Sequence, residues 1–118
     1  MIAEVISLSE YEAQVEKLLT EDERVAMEFF IAAAPEAHPL IAGTGGFRKA
    51  RWALAGKGKS GGARLIYFYI VPPGQVFLAA IYAKSKQANL SPADRNVLAA
   101  LATEIKKAVK LWQQNEPH

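Results

Sequence analysis

The 118-residue chain has no cysteine, which excludes disulfide bridges, Cys-ligated zinc, iron-sulfur clusters and thiolate nucleophiles together. A reducing, cytoplasmic setting fits. Long hydrophobic runs are missing too: nothing approaches the roughly 20 apolar residues of a membrane span. The opening "MIAEVISLSEYE" has neither the basic start nor the apolar core of a signal peptide. We therefore expect a soluble protein, with no membrane partner, that is not secreted. Histidine is scarce, with His38 beside a proline and His118 at the last position. Both read as incidental.

The most informative absence is of acid. Between Glu36 and Asp94 there is no Asp or Glu, while eight cations fall in that interval: Arg48, Lys49, Arg51, Lys57, Lys59, Arg64, Lys84 and Lys86. Divalent metals need carboxylate, imidazole or thiolate ligands, so neither a metal site nor two-metal phosphodiester hydrolysis is expected on this surface. No cofactor is implied. The net charge of +2 hides the division: residues 1–36 carry nine acids against two bases, and residues 37–118 carry twelve bases against three acids. Solvated surfaces usually interleave both signs, so a one-sign stretch points to a phosphate-rich partner. The acidic N-terminal part reads either as solvated helix surface or as a contact for another protein.

What is present reads as one α+β domain over residues 1–118, with residues 113–118 as a frayed tail. "IAEVISL" (2–8) is β-branched and bounded by serines, which predicts a strand. Ser9 with Glu12, then Thr20 with Glu23, are capping-box patterns ahead of helices over about 10–18 and about 21–34. In the second, Val25, Phe29, Ala32 and Ala33 form the expected buried stripe. After a loop from Pro35, "FRKARWALA" predicts a strand over 47–54, although its alternation slips once. "ARLIYFYIV" is the strongest strand signal, and "PPG" turns it into "QVFLAAIYAK". Ser91, Pro92 and Asp94 then open a helix of about twenty residues. Its expected stripe is Val97, Leu98, Leu101, Ile105, Val109 and Trp112, and Trp52 and Trp112 are assigned to the core. The order β-α-α-β-β-β-α implies a mostly antiparallel sheet with helices on one face.

The basic strands suggest RNA chemistry without metal. The ribose 2′-OH is a built-in nucleophile beside the scissile phosphate, so a protein need supply only a base, positive charge for the phosphorane and an acid for the 5′-oxygen. Clustered lysines can do all three, because neighbouring like charges lower a lysine's pKa. Arg64, opening the central strand, can hold a phosphate with its planar fork. Tyr82, Lys84 and Lys86 close the next strand beside it, with Tyr82 also readable as core or as a stacking platform. Lys57 and Lys59 lie in the glycine-rich turn "GKGKSGG", readable as solubilising charge or phosphate contacts. "GTGG" and "GKGKSGG" lack the spacing and following helix of a P-loop, so their glycines read as strand connections.

These residues also resemble a known family. "LIAGTGGFRKARWALAGKGKSGGARLIYFYIV" followed by "IYAKSKQANLSPAD" is similar to the HigB-type branch of the RelE/ParE superfamily, the bacterial toxins of type II toxin-antitoxin systems. The resemblance covers about residues 38–95 and implies a RelE-like fold. It implies a ribosome-dependent mRNA endonuclease, an mRNA interferase working in the A site of the 70S ribosome to inhibit translation. It also implies a cognate antitoxin of helix-turn-helix type, encoded nearby, with operator DNA bound only by the pair. Carried over, Arg64 matches the arginine that stabilises the transition-state phosphate. Lys57 and Lys59 match basic positions ahead of it; Tyr82, Lys84 and Lys86 occupy the place of further catalytic or RNA-contacting residues. Arg48, Lys49, Arg51 and Lys86 are the expected RNA- or ribosome-binding cations. Acid and base roles stay open, and because the superfamily includes ParE-like gyrase poisons, so does the target. A non-catalytic nucleic-acid-binding module is the further alternative.

Overall fold

The computed structural model describes residues 2–54, 62–87 and 89–115. The elements follow the predicted order: β1 (Glu4–Ser7), α1 (Ser9–Leu18), α2 (Glu21–Ala33), β2 (Phe47–Trp52), β3 (Ala63–Ile70), β4 (Gln75–Ala83) and α3 (Pro92–Asn115). They form one mixed sheet in the order β1-β4-β3-β2, in which β2/β3 and β3/β4 are antiparallel and β1 joins β4 in parallel. The α+β class and the mostly antiparallel sheet are as expected.

The helices are not all on one face, because β3 is apolar on both of its sides. Leu65 and Tyr67 pack with Tyr11, Val15, Met27 and Ile31 from α1 and α2. Their neighbours Ile66 and Phe68 point the other way and pack with Leu98, Ala102, Ile105 and Val109 of α3. A strand covered on both sides reads as a continuous hydrophobic run rather than an alternation, and "LIYFYI" is such a run. That places α3 opposite α1 and α2.

Local chemistry explains the helix ends. Thr20 and Glu23 form the expected reciprocal cap on α2: Glu23 N donates to Thr20 Oγ1 at 3.2 Å and Thr20 N to Glu23 Oε1 at 2.9 Å. Ser91 and Asp94 do the same for α3, each backbone N–H donating at 3.0 Å. The Ser9 cap does not form. The helix starts at Ser9 itself, with Leu8 at the cap, and Glu12 is engaged instead with Arg24, whose Nη1 and Nη2 both donate to it. Arg24 Nε also donates to Glu28 Oε2 at 2.8 Å, and the fully buried Tyr11 donates its hydroxyl to the same oxygen at 2.6 Å. Burial and then Glu28 raise the Tyr11 phenol's pKa, and the carboxylates raise that of Arg24. Two of the N-terminal acids are thus spent on joining α1 to α2.

Several large apolar residues expected inside lie outside. On α2 the buried positions are Met27, Ile31 and Ala32, while Val25 and Phe29 are each 58% exposed. On α3, Val97 and Trp112 are exposed and Ala102 is buried. Trp52 does pack against the α1/α2 core. Residues 113–115, expected in a tail, continue α3.

The "GTGG" turn shows why its residues are small. Thr44 is fully buried, donating its hydroxyl to the Ile41 carbonyl at 2.7 Å and accepting from Phe47 N at 3.1 Å. Gly46 has φ +126°, and a Cβ there would lie 2.9 Å from the Phe68 ring. The turn seats β2 against α3, as a strand connection should.

Candidate nucleic-acid interface

Cross-strand partners on neighbouring strands share a face, so register decides which cations meet. Arg51 pairs with Arg64, and Arg64 pairs with Tyr82. These three side chains form a row across β2, β3 and β4, on the face where α3 packs. Lys49 lies on the same face two residues along, paired with Ile66. The apolar packing beneath α3 draws on Phe47, Ile66, Phe68 and Ala79; beyond it the face turns cationic.

Arg48 is not part of this row. It pairs with Tyr67 on the opposite face, and its Nη1 donates to the carbonyls of His38 at 2.7 Å and Glu36 at 3.2 Å. Its work is to anchor the loop after α2. Beside it, Tyr67 donates to the Pro35 carbonyl at 2.7 Å, with its phenol pushed up to about 12 by burial. Lys84 and Lys86 are exposed in the turn after β4. Lys84 N donates to the Gly62 carbonyl at 2.9 Å, so that turn stands at the Arg64 end of the sheet. Lys57, Lys59 and His118 lie outside the described residues.

Arg64 is the unusual member. It is 6% exposed, and its recorded side-chain hydrogen bond runs from Nη1 to the Ala63 carbonyl at 3.2 Å. Among the described residues it has no carboxylate partner; the ion pairs found join Arg24 to Glu12 and Glu28, and Lys107 to Glu104. A guanidinium withdrawn from water without an anion is costly. Gly62, next but one before it, makes room for the β2 backbone: a Cβ there would stand 2.9 Å from the Trp52 carbonyl oxygen.

Tyr82 is unusual in a second way. Its hydroxyl is buried and, among the described residues, has no hydrogen-bond partner, an arrangement that typically costs about 1–3 kcal/mol. Burial holds its phenol above the usual pKa; Arg64 opposes this and Asp94 adds to it. Tyr82 is therefore protonated near neutral pH and can donate a hydrogen bond, but it cannot serve as a phenolate base.

Beside Tyr82 lies a cleft of about 400 Å³ between α1, β4 and the start of α3. Its walls include Ile66, Ala79, Ala80, Leu90 and Leu98, and its polar groups are Glu10, Gln14, Gln87 and Asp94. Sequence reasoning found Asp94 only as a cap and did not find the other three. No motif links them, because the fold alone brings α1 to α3. Among the described residues, no three His, Cys, Asp or Glu side chains converge as metal ligands, and no helix is long and apolar enough to cross a membrane.

Two comparisons with known proteins bear on this arrangement. The family model described as "RelE toxin of RelE / RelB toxin-antitoxin system" matches residues 13–114. Among solved structures, the chain is similar to the E. coli toxin RelE, determined as a double arginine-to-alanine variant in the free state. The TM-score is 0.54 at 18% identity, covering 75% of this chain and 90% of the other. At that identity the likeness concerns the fold.

Proposed function

This chain belongs to the RelE toxin family, and from that premise we propose that it is a ribosome-dependent mRNA endonuclease that cuts without metal. The observation that carries the reading is Arg64: nearly buried, with no carboxylate partner among the described residues, and set between Arg51 and Tyr82. A cation held in that state is preorganised for an anion, and the charge that develops in RNA cleavage is on the scissile phosphate.

In the proposed step the 2′-oxygen attacks the adjacent phosphorus, forming the O2′–P bond as the P–O5′ bond breaks. A base takes the 2′ proton and an acid gives one to the 5′ oxygen, leaving a cyclic 2′,3′-phosphate and a 5′-hydroxyl. Arg64 and Arg51 carry the phosphorane charge, and Tyr82 donates a hydrogen bond from its neutral phenol. Lys84, together with Lys57 and Lys59, is the candidate for proton transfer. Lys49 and Lys86 hold the RNA backbone, and Arg48, turned to the other face, is no longer among the proposed RNA contacts. The partners are the 70S ribosome with its mRNA and an antitoxin encoded nearby, acting in the cytoplasm.

The test is Arg64→Met in a cell-free translation system. Cleavage should fall about 100-fold, as for loss of a transition-state donor, while thermal stability holds or rises because an unpaired buried charge is gone. The wild-type products should carry cyclic phosphate ends. Undiminished cleavage by the variant would overturn the site. Arrest of DNA synthesis ahead of translation on induction would overturn the target in favour of gyrase.

A further inference from the structure

We propose that the cleft beside Tyr82 is a nucleobase subsite, taking a base with an exocyclic amino group from the nucleotide next to the phosphate at Arg64. This rests on the RNA-cleavage reading for the phosphate, but the cleft's own chemistry is independent of it.

Position comes first. Tyr82 belongs to both the cationic row and the cleft, and cross-strand neighbours stand about 5 Å apart. A nucleotide whose phosphate meets Arg64 therefore has its base within reach of the cleft. Lining comes second: the small side chains of Ala79 and Ala80 line the cleft together with the larger apolar Ile66, Leu90 and Leu98, a surface on which a flat ring can stack. Its volume of about 400 Å³ falls within the usual range for small-molecule sites.

Charge decides what enters. Glu10 and Asp94 put carboxylates on the cleft, beside a row whose charged members, Arg51 and Arg64, are both cations. Carboxylates repel phosphate and can only accept hydrogen bonds, so they select a ligand edge rich in N–H donors. Adenine, cytosine and guanine each present an amino group, and uracil does not. In the free protein Gln14 Nε2 donates to Glu10 Oε1 at 3.1 Å and Gln87 Nε2 to Asp94 Oδ2 at 3.4 Å, so each glutamine holds a carboxylate in place at the cleft and turns its own amide oxygen into a further acceptor for the base's N–H groups. The buried Tyr82 hydroxyl, unpartnered among the described residues, can donate its one proton toward the phosphate and accept an N–H from the base on its oxygen.

The experiment is an NMR titration of the full chain with AMP, CMP, GMP, UMP and ribose 5-phosphate. The amino-bearing nucleotides should shift the amides of Ala79, Ala80 and Leu98, with UMP weaker by about tenfold. Ribose 5-phosphate should shift only the Arg51 and Arg64 strands. Gln87→Ala, which removes the amide that holds Asp94, and Ala80→Leu, which adds bulk to the lining, should each weaken AMP binding while leaving the ribose 5-phosphate shifts intact. The subsite is overturned if no nucleotide moves the cleft amides, or if ribose 5-phosphate or UMP moves them as strongly as AMP. Cleft shifts with no response at Arg64 would keep the base site and sink the phosphate reading instead.

Discussion

Two arginines in this chain show how residue-scale environment separates structure from function. Arg24 is held by two carboxylates and a cation-π contact 5.3 Å from the Tyr11 ring centre; among the described residues Arg64 has only a neighbouring carbonyl. The first is explained by the fold, and the second is not. Sequence made Arg64 legible because the strands around it contain no acid, an absence that survives any packing. It could not sort Arg48 from Lys49 and Arg51, since adjacent residues on a strand point to opposite faces and "RKAR" offers cations to both. His38 is a further case. Its Nε2 is buried without a partner among the described residues, and desolvation, then Arg48, hold its pKa below the ordinary 6.5. The folded state therefore resists a proton that the unfolded chain accepts. Stability is full above the unfolded pKa and declines as pH falls through and below it. The melting temperature should drop between roughly pH 7 and 5 in the wild type, and drop less in His38→Gln; equal slopes would remove His38 from the account.

Among elements, the turn before β2 carries more than its four small residues suggest. Its buried threonine and positive-φ glycines press β2 toward α3, with Gly45 meeting Ala102 and Lys106 Nζ donating to the Gly45 carbonyl at 3.2 Å. Gly46→Ala combines left-handed φ with a 2.9 Å approach to Phe68, and should cost about 1–3 kcal/mol. Thermal unfolding against wild type measures it, and an unchanged midpoint would refute the packing argument. Strands and helices themselves were legible from alternation, from turn residues and from two caps whose partners lie three residues apart. The Ser9 cap was misread because Glu12 had a stronger partner in Arg24, on another helix. The stripes of α2 and α3 differ from expectation because several apolar positions compete for one face: on α2, Met27 and Ile31 are buried while Val25 and Phe29 are exposed, and on α3 Ala102 is buried while Val97 and Trp112 are exposed.

For the whole molecule, the division of charge along the chain becomes a division in space. The acids of residues 4–28 sit on β1, α1 and α2, whereas the cations of the sheet sit on β2 and β3, with Lys84 and Lys86 in the turn after β4 and further cations on α3. Binding to a single-stranded RNA oligonucleotide should therefore weaken steeply with salt. Arg51→Ala should reduce the log–log slope by about 0.7, the share of one phosphate contact; an unchanged slope would place Arg51 outside the RNA path. Which face each helix covers was beyond sequence reading, because periodicity defines a stripe but not the side of the sheet that receives it. The cleft was hidden for the same reason, being built from helices at opposite ends of the chain.

One consequence of β3 reaches into genetics. Its side chains alternate between the α1/α2 core and the face that holds Arg64, so a one-residue insertion or deletion there would exchange the two sets. Leu65 would face the cationic row and Arg64 the apolar core. Survivors of toxin expression should then fall into two classes with nothing between them. Single-codon indels in β3 would yield chains that cannot fold, whereas substitutions of Arg64 would yield folded protein still available to its antitoxin.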